Sequence, residues 1–87
     1  MVKYRILIKA SAAKEIEQIT MRKYRRRIVD RIQSLAESPR PPGCEKLSGQ
    51  DRYRLRQGVY RIVYSVHDDL LVVHVIKVGH RKDVYRN

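Results

Sequence analysis

Apolar and charged residues alternate through residues 2–9, with Tyr4, Ile6 and Ile8 set against Lys3, Arg5 and Lys9, the period of two that marks a half-buried strand. The period then lengthens. Ala12, Ile16 and Ile19 recur at four and three residues, predicting a short helix over 11–19 with Ser11 as its N-cap. Tyr24, Ile28, Ile32 and Leu35 repeat at four, four and three and predict a second helix over about 21–36. Pro39, Pro41, Pro42 and Gly43 stop it and open an irregular loop. Period two returns in RYRLRQGVYRIVY, residues 52–64, and continues beyond it. Three strands are predicted, over 52–56, 59–67 and 70–78, with tight turns at Gln57 and Gly58 and at Asp68 and Asp69.

Together these elements predict an α+β fold. The N-terminal strand and a three-stranded antiparallel meander complete one sheet, with both helices packed on one face. Carrying the alternation through the turns assigns Tyr53, Leu55, Tyr60, Ile62, Tyr64, Val66, Leu71, Val73 and Val75 to that covered face. Arg52, Arg54, Arg56, Arg61 and His74 fall on the opposite face, although valines around His74 argue for packing there. A one-residue bulge would reassign the last strand. If Gln57 and Gly58 form the loop, Arg54 stands directly opposite Arg61. Opposed like charges cost up to roughly 1 kcal/mol, a penalty that an anion between them removes, so the pair reads as a phosphate site.

Eighty-seven residues suit one domain spanning 1–87. Twenty Lys and Arg against nine Asp and Glu give a net charge of +11, which points to a polyanionic partner. Helix two carries much of it, in Arg22, Lys23, Arg25, Arg26, Arg27 and Arg31. A solvated basic face is the plain alternative. Cys44 has no partner cysteine and no metal-ligand spacing, so neither a disulfide nor a bound metal is expected. No apolar run has the length of a membrane span, and a cytoplasmic protein is expected.

Arginines with a histidine and a tyrosine, lacking a plausible carboxylate pair, suit chemistry at a phosphodiester without a cofactor. RNA carries its own nucleophile, the ribose 2′-OH. Its attack on the neighbouring phosphate needs a proton acceptor, neutralisation of the phosphoryl oxygens, and a proton for the leaving 5′ oxygen. Arg54 and Arg61, with Arg52 alongside, supply guanidinium groups for the second task. Tyr85 and His80 are the candidates for proton transfer. Surrounding guanidinium groups would lower the phenol pKa of Tyr85, whereas an imidazole such as that of His80 needs no such help. Each has a structural alternative, Tyr85 as a cap on the core and His80 as a turn residue.

The order strand, two helices, YRLRQGVYRIVY and VGHRKDVY resembles the RelE toxins of bacterial and archaeal toxin–antitoxin pairs, within the wider RelE/ParE superfamily. The resemblance covers nearly the whole chain and is most specific in its second half, while SAAKEIEQI and ESPRPPGCEKLSG sit where the family has a helix and a loop. It implies a ribosome-dependent mRNA endoribonuclease that enters the A site, cuts by 2′-OH attack without a metal, and is silenced by a RelB-like antitoxin. It further implies catalytic roles for Arg52, Arg54 and Arg61, for Arg81 as general acid or leaving-group stabiliser, and for Tyr85 as general base. Contacts to RNA or ribosome are then expected from Arg22, Lys23, Arg25, Arg26, Arg56, His80 and Lys82. The same fold also carries ParE-type inhibitors of DNA gyrase, the alternative function. A non-catalytic nucleic-acid-binding module would explain the charge but not Tyr85 or the opposed arginines.

Overall fold

The structure, a computed structural model, describes residues 3–47 and 51–80. Strand β1 (Arg5–Ile8) leads into helix α1 (Ala10–Glu17) and helix α2 (Arg22–Ser34), followed by strands β2 (Glu45–Lys46), β3 (Arg52–Gln57), β4 (Tyr60–His67) and β5 (Val72–His80). The strands form one mixed sheet in the order β1-β5-β4-β3-β2, with β1 parallel to β5 and the other pairings antiparallel. The two helices carry the chain from β1 to β2 at the far edge of the sheet, and the antiparallel strands then return it to β5 beside β1, the long connection that a parallel pairing requires. No helix among the described residues is long and apolar enough to cross a membrane.

One apolar layer fixes this arrangement. Ala12, Ile16 and Ile19 from the first helical segment and Ile28, Ile32 and Leu35 from the second meet Leu55, Ile62, Tyr64, Val73, Val75 and Val78 of the sheet. Ile28, Leu35, Ile62, Tyr64, Val73 and Val75 are fully buried. Each helix presents its apolar stripe at three- and four-residue spacing, so the periodicity in the sequence is the periodicity of the contact.

A polar clamp holds the loop after α2 against one end of the sheet. The Arg40 guanidinium meets the Asp68 carboxylate through two bonds of 3.1 and 2.8 Å, and its Nε donates to the Tyr53 hydroxyl at 2.9 Å. Tyr4 donates to Asp68 at 2.6 Å, and Tyr64 donates to the Pro39 carbonyl at 2.8 Å. Arg40 and then Tyr4 hold the Asp68 carboxyl down at about 2. The same bond to Asp68 pushes the Tyr4 phenol up, and burial raises that of Tyr64.

Several expectations change. Ser11 does not cap α1: Lys9 holds the N-cap position, its amide already bonded to the Val75 carbonyl, so the helix starts as soon as β1 ends. Tyr24 is exposed rather than part of the buried stripe. The first turn is Gly58 and Val59 instead of Gln57 and Gly58, because Gly58 has φ of +63° and supplies the left-handed first position that a II′ turn needs. Arg61 therefore stands opposite Arg56, and Arg54 stands opposite Val63. Asp68 and Asp69 are the first half of a four-residue connection between His67 and Val72, in which Leu71 takes φ of +54° and is exposed instead of core. Tyr60 packs against the core only in part. A bulge does interrupt β5, where Val63 pairs with Lys77 but Tyr64 pairs with Val75, leaving Ile76 as the extra residue. After it the buried series passes from Val73 and Val75 to Val78.

Candidate functional site

Side chains on the sheet face away from the helices form rows across the strands. The row nearest the hairpin tip holds Arg56 and Arg61, the next holds Arg54 and Val63 with Glu45 outside them, and the third holds Arg52, Ser65, His74 and Leu7. The cationic face expected from the alternation is thus present. A shift of two residues changes which arginines oppose each other without moving any to the other face.

The arginines are not equivalent. Arg52 and Arg56 are exposed. Arg54 is anchored by a 2.9 Å bond to Glu45, and its side chain keeps only 14% of its accessibility. Arg61 is buried at 6% exposure, and one amine of its guanidinium donates to the carbonyl of Tyr60 at 3.2 Å. Its Nε is buried without a hydrogen-bond partner among the described residues, and no carboxylate among them pairs with it. A guanidinium withdrawn from water without a counter-ion costs several kcal/mol, on the order of the effective penalty for a buried ion. Arg56 opposite it adds to that cost. The geometry therefore favours an anion on this face.

The other candidates spread out. His80 pairs with Tyr60 in the register, which puts it on the opposite face from Arg61, and the two rings meet edge-on with centroids 6.1 Å apart. It lines a cavity of about 260 Å³ beside α1 with Glu15 and Lys77. There Glu15 accepts the Val78 amide at 2.9 Å and the Lys77 ammonium at 3.0 Å. β1 ends at Ile8, opposite Val75, so this carboxylate satisfies part of the β5 edge that no strand covers. On α2, Arg22, Lys23 and Arg26 are exposed. Arg25 instead reaches back to the Ile19 carbonyl at 2.9 Å and ties the end of the first helical segment to the second. Arg81, Lys82 and Tyr85 lie outside the described residues. No group of three or more His, Cys, Asp or Glu among the described residues is placed to hold a metal ion.

The open face also holds Ser65, which sequence reasoning passed over, and His74, which it placed on this face but left out of the site. His74 is half-buried opposite Ser65, and the Ser65 hydroxyl lies 3.0 Å from His67 Nε2. The signal for His74 was its place in the alternation, which the flanking valines outweighed.

Comparison with known proteins places this arrangement. The family model described as the ParE toxin of type II toxin–antitoxin system, parDE, matches residues 6–85. No curated protein matches. Among solved structures, the isolated E. coli RelE toxin is similar, with 33% identity over 94% of this chain and 90% of that one and a TM-score of 0.77. The toxin–antitoxin complex of E. coli, RelBE, gives 35% identity over 88% and 95% with a TM-score of 0.74. The archaeal RelE–RelB complex from Pyrococcus horikoshii gives 27% over 95% and 99% with a TM-score of 0.79. This chain therefore belongs to the RelE/ParE superfamily of type II toxin–antitoxin toxins and is of the RelE type.

Proposed function

We propose that this toxin is a metal-independent endoribonuclease, a single unit over residues 1–87, that cuts mRNA in the ribosomal A site and is neutralised by a RelB-like antitoxin in the cytoplasm. The observation that carries the reading is Arg61, a buried guanidinium on an otherwise arginine-rich open face with an unsatisfied Nε among the described residues. A phosphodiester in transit to a more highly charged transition state is the anion that such a group stabilises best.

In the proposed reaction the ribose 2′ oxygen bonds to phosphorus as the bond from phosphorus to the 5′ oxygen breaks. The 2′ proton passes to the Tyr85 phenolate, and the departing 5′ oxygen takes a proton from Arg81 or, with its charge stabilised by Arg81, from water. The upstream fragment ends in a 2′,3′-cyclic phosphate and the downstream one in a 5′-hydroxyl. Arg61 and Arg54 bind the phosphoryl oxygens, and Arg52 and Arg56 hold the strand. His80, on the other sheet face, is left to ribosome contact with Lys82, Arg22, Lys23 and Arg26, while Arg25 supports the helix junction.

Gyrase inhibition remains the second reading, because the matching family model is that of a ParE toxin. Primer extension on translated mRNA beside a DNA supercoiling assay separates the two. Discrete cuts in ribosome-bound message with unaffected gyrase support the nuclease, whereas blocked supercoiling with intact message replaces it.

A further inference from the structure

The third row of the open face borders an open cavity of about 420 Å³, lined by Lys9, Asp51, Arg52, Ser65, His67, His74 and Ile76. We propose that this cavity is a second phosphate subsite, which holds a flanking phosphodiester of the RNA strand whose scissile phosphate sits at Arg61. The proposal rests on the nuclease reading for the identity of its ligand.

Four observations support it. First, the cavity is continuous with the arginine rows: Arg52 and His74 flank Ser65 in the register, and Ser65 follows Arg61 by four residues along β4, roughly 13 Å at strand spacing. A strand of RNA laid along β4 from Arg61 reaches it. Second, the donor chemistry suits a phosphodiester. Arg52 and Lys9 provide permanent charge, the Ser65 hydroxyl and two imidazoles provide directed donors, and these two cations outnumber the one carboxylate. Third, Ser65 is buried, at 8% exposure, and its hydroxyl lies 3.0 Å from His67 Nε2; with that ring nitrogen protonated the imidazole donates to Ser65 Oγ and leaves the hydroxyl proton for a ligand. Fourth, the β5 bulge inserts Ile76 beside His74 and gives the cavity one apolar wall on which a ribose can rest. An acidic peptide would meet the same cations, but it makes no use of the continuity with Arg61.

Binding can be read without cleavage. The full-length toxin, released from its antitoxin, is titrated off the ribosome with a short single-stranded RNA whose 2′ oxygens are methylated throughout, which blocks the nucleophile, and imidazole signals are followed by NMR. His74 and His67 are expected to shift together with saturation, and inorganic phosphate is expected to produce the same shifts at higher concentration. His74→Gln and Ser65→Ala are each expected to weaken oligonucleotide affinity by about tenfold, the order of one charge-assisted hydrogen bond. Arg52→Ala is expected to lower the slope of log affinity against log salt by about 0.7, one single-strand phosphate contact. Unmoved His74 and His67 signals in the wild-type protein, with affinity unchanged in both variants, would overturn the subsite. So would shifts produced by an acidic peptide and not by the oligonucleotide. A toxin that binds here but cuts no message keeps the subsite and loses the nuclease reading, so the two fail separately.

Discussion

Arg61 concentrates the conflict between folding and function in one side chain. It is buried, bonded to one backbone carbonyl, and faces Arg56 instead of a carboxylate among the described residues. Replacing a buried, uncompensated charge by an apolar side chain of similar reach removes a desolvation cost. Arg61→Leu should therefore raise the unfolding free energy by about 1 kcal/mol or more. The same variant should slow cleavage on the ribosome by about a hundred- to a thousandfold, the usual loss for a transition-state donor. Chemical denaturation and single-turnover kinetics on one preparation check both halves. A destabilised, fully active Arg61→Leu would remove the basis for the site. Arg61→Lys should recover only part of the rate, because an ammonium cannot donate in the planar fork of a guanidinium.

At the level of elements, the hairpin shows what is legible in sequence and what is not. Which side chains share a face follows from alternation, and that survives any slide by an even number of residues, so the arginine face and most of the core are readable from the chain. Which arginines oppose one another depends on whether the loop is Gln57 and Gly58 or Gly58 and Val59. That choice rests on the positive φ of Gly58, a conformation to which glycine points without saying which loop position it fills. Gly58→Ala meets open space at its new Cβ, so its cost is conformational, about 1–2 kcal/mol in an equilibrium unfolding curve. The β5 bulge and the two-residue β2 leave no pattern strong enough to read, and His74 acquires its meaning only once β5 is paired with Ser65. The assignment of Arg81 came from family resemblance alone, whereas Tyr85 was already a candidate for proton transfer from its chemistry; both lie outside the described residues.

The clamp at the other end of the sheet has a pH signature of its own. Asp68 titrates lower when folded than the ordinary carboxylate near 3.9, down at about 2. It therefore stabilises the fold fully above the unfolded value, and that contribution is lost as pH falls from about 4 towards 2. Asp68→Asn should melt at a lower temperature than the wild type at pH 7, with the two curves converging in strong acid. Parallel melting curves at both pH values would assign the loop's attachment to packing. In the core, Ile28→Ala should cost about 2–5 kcal/mol, since the side chain is fully buried between helix and sheet.

Across the whole molecule, a net charge of +11 is distributed over both an open sheet face and an exposed helix surface. Ribosome association should accordingly weaken steeply with salt. Replacing Arg22, Lys23 and Arg26 together by alanine should reduce ribosome affinity in a salt-titrated sedimentation assay without altering the melting curve. Arg25 is excluded from that set because its bond to the Ile19 carbonyl is structural. An antitoxin segment that is acidic and folds as it binds suits the charge of this surface, so toxin produced without it should arrest growth.

The most direct test of the central claim is the chemistry of the cut ends when purified toxin is added to ribosomes stalled on a defined message. Direct 2′-OH attack predicts upstream fragments ending in a 2′,3′-cyclic phosphate or its opened product, absent with Arg61→Ala and reduced with Tyr85→Phe. Upstream fragments bearing a plain 3′-hydroxyl, or intact message under conditions in which gyrase supercoiling is blocked, would contradict the account.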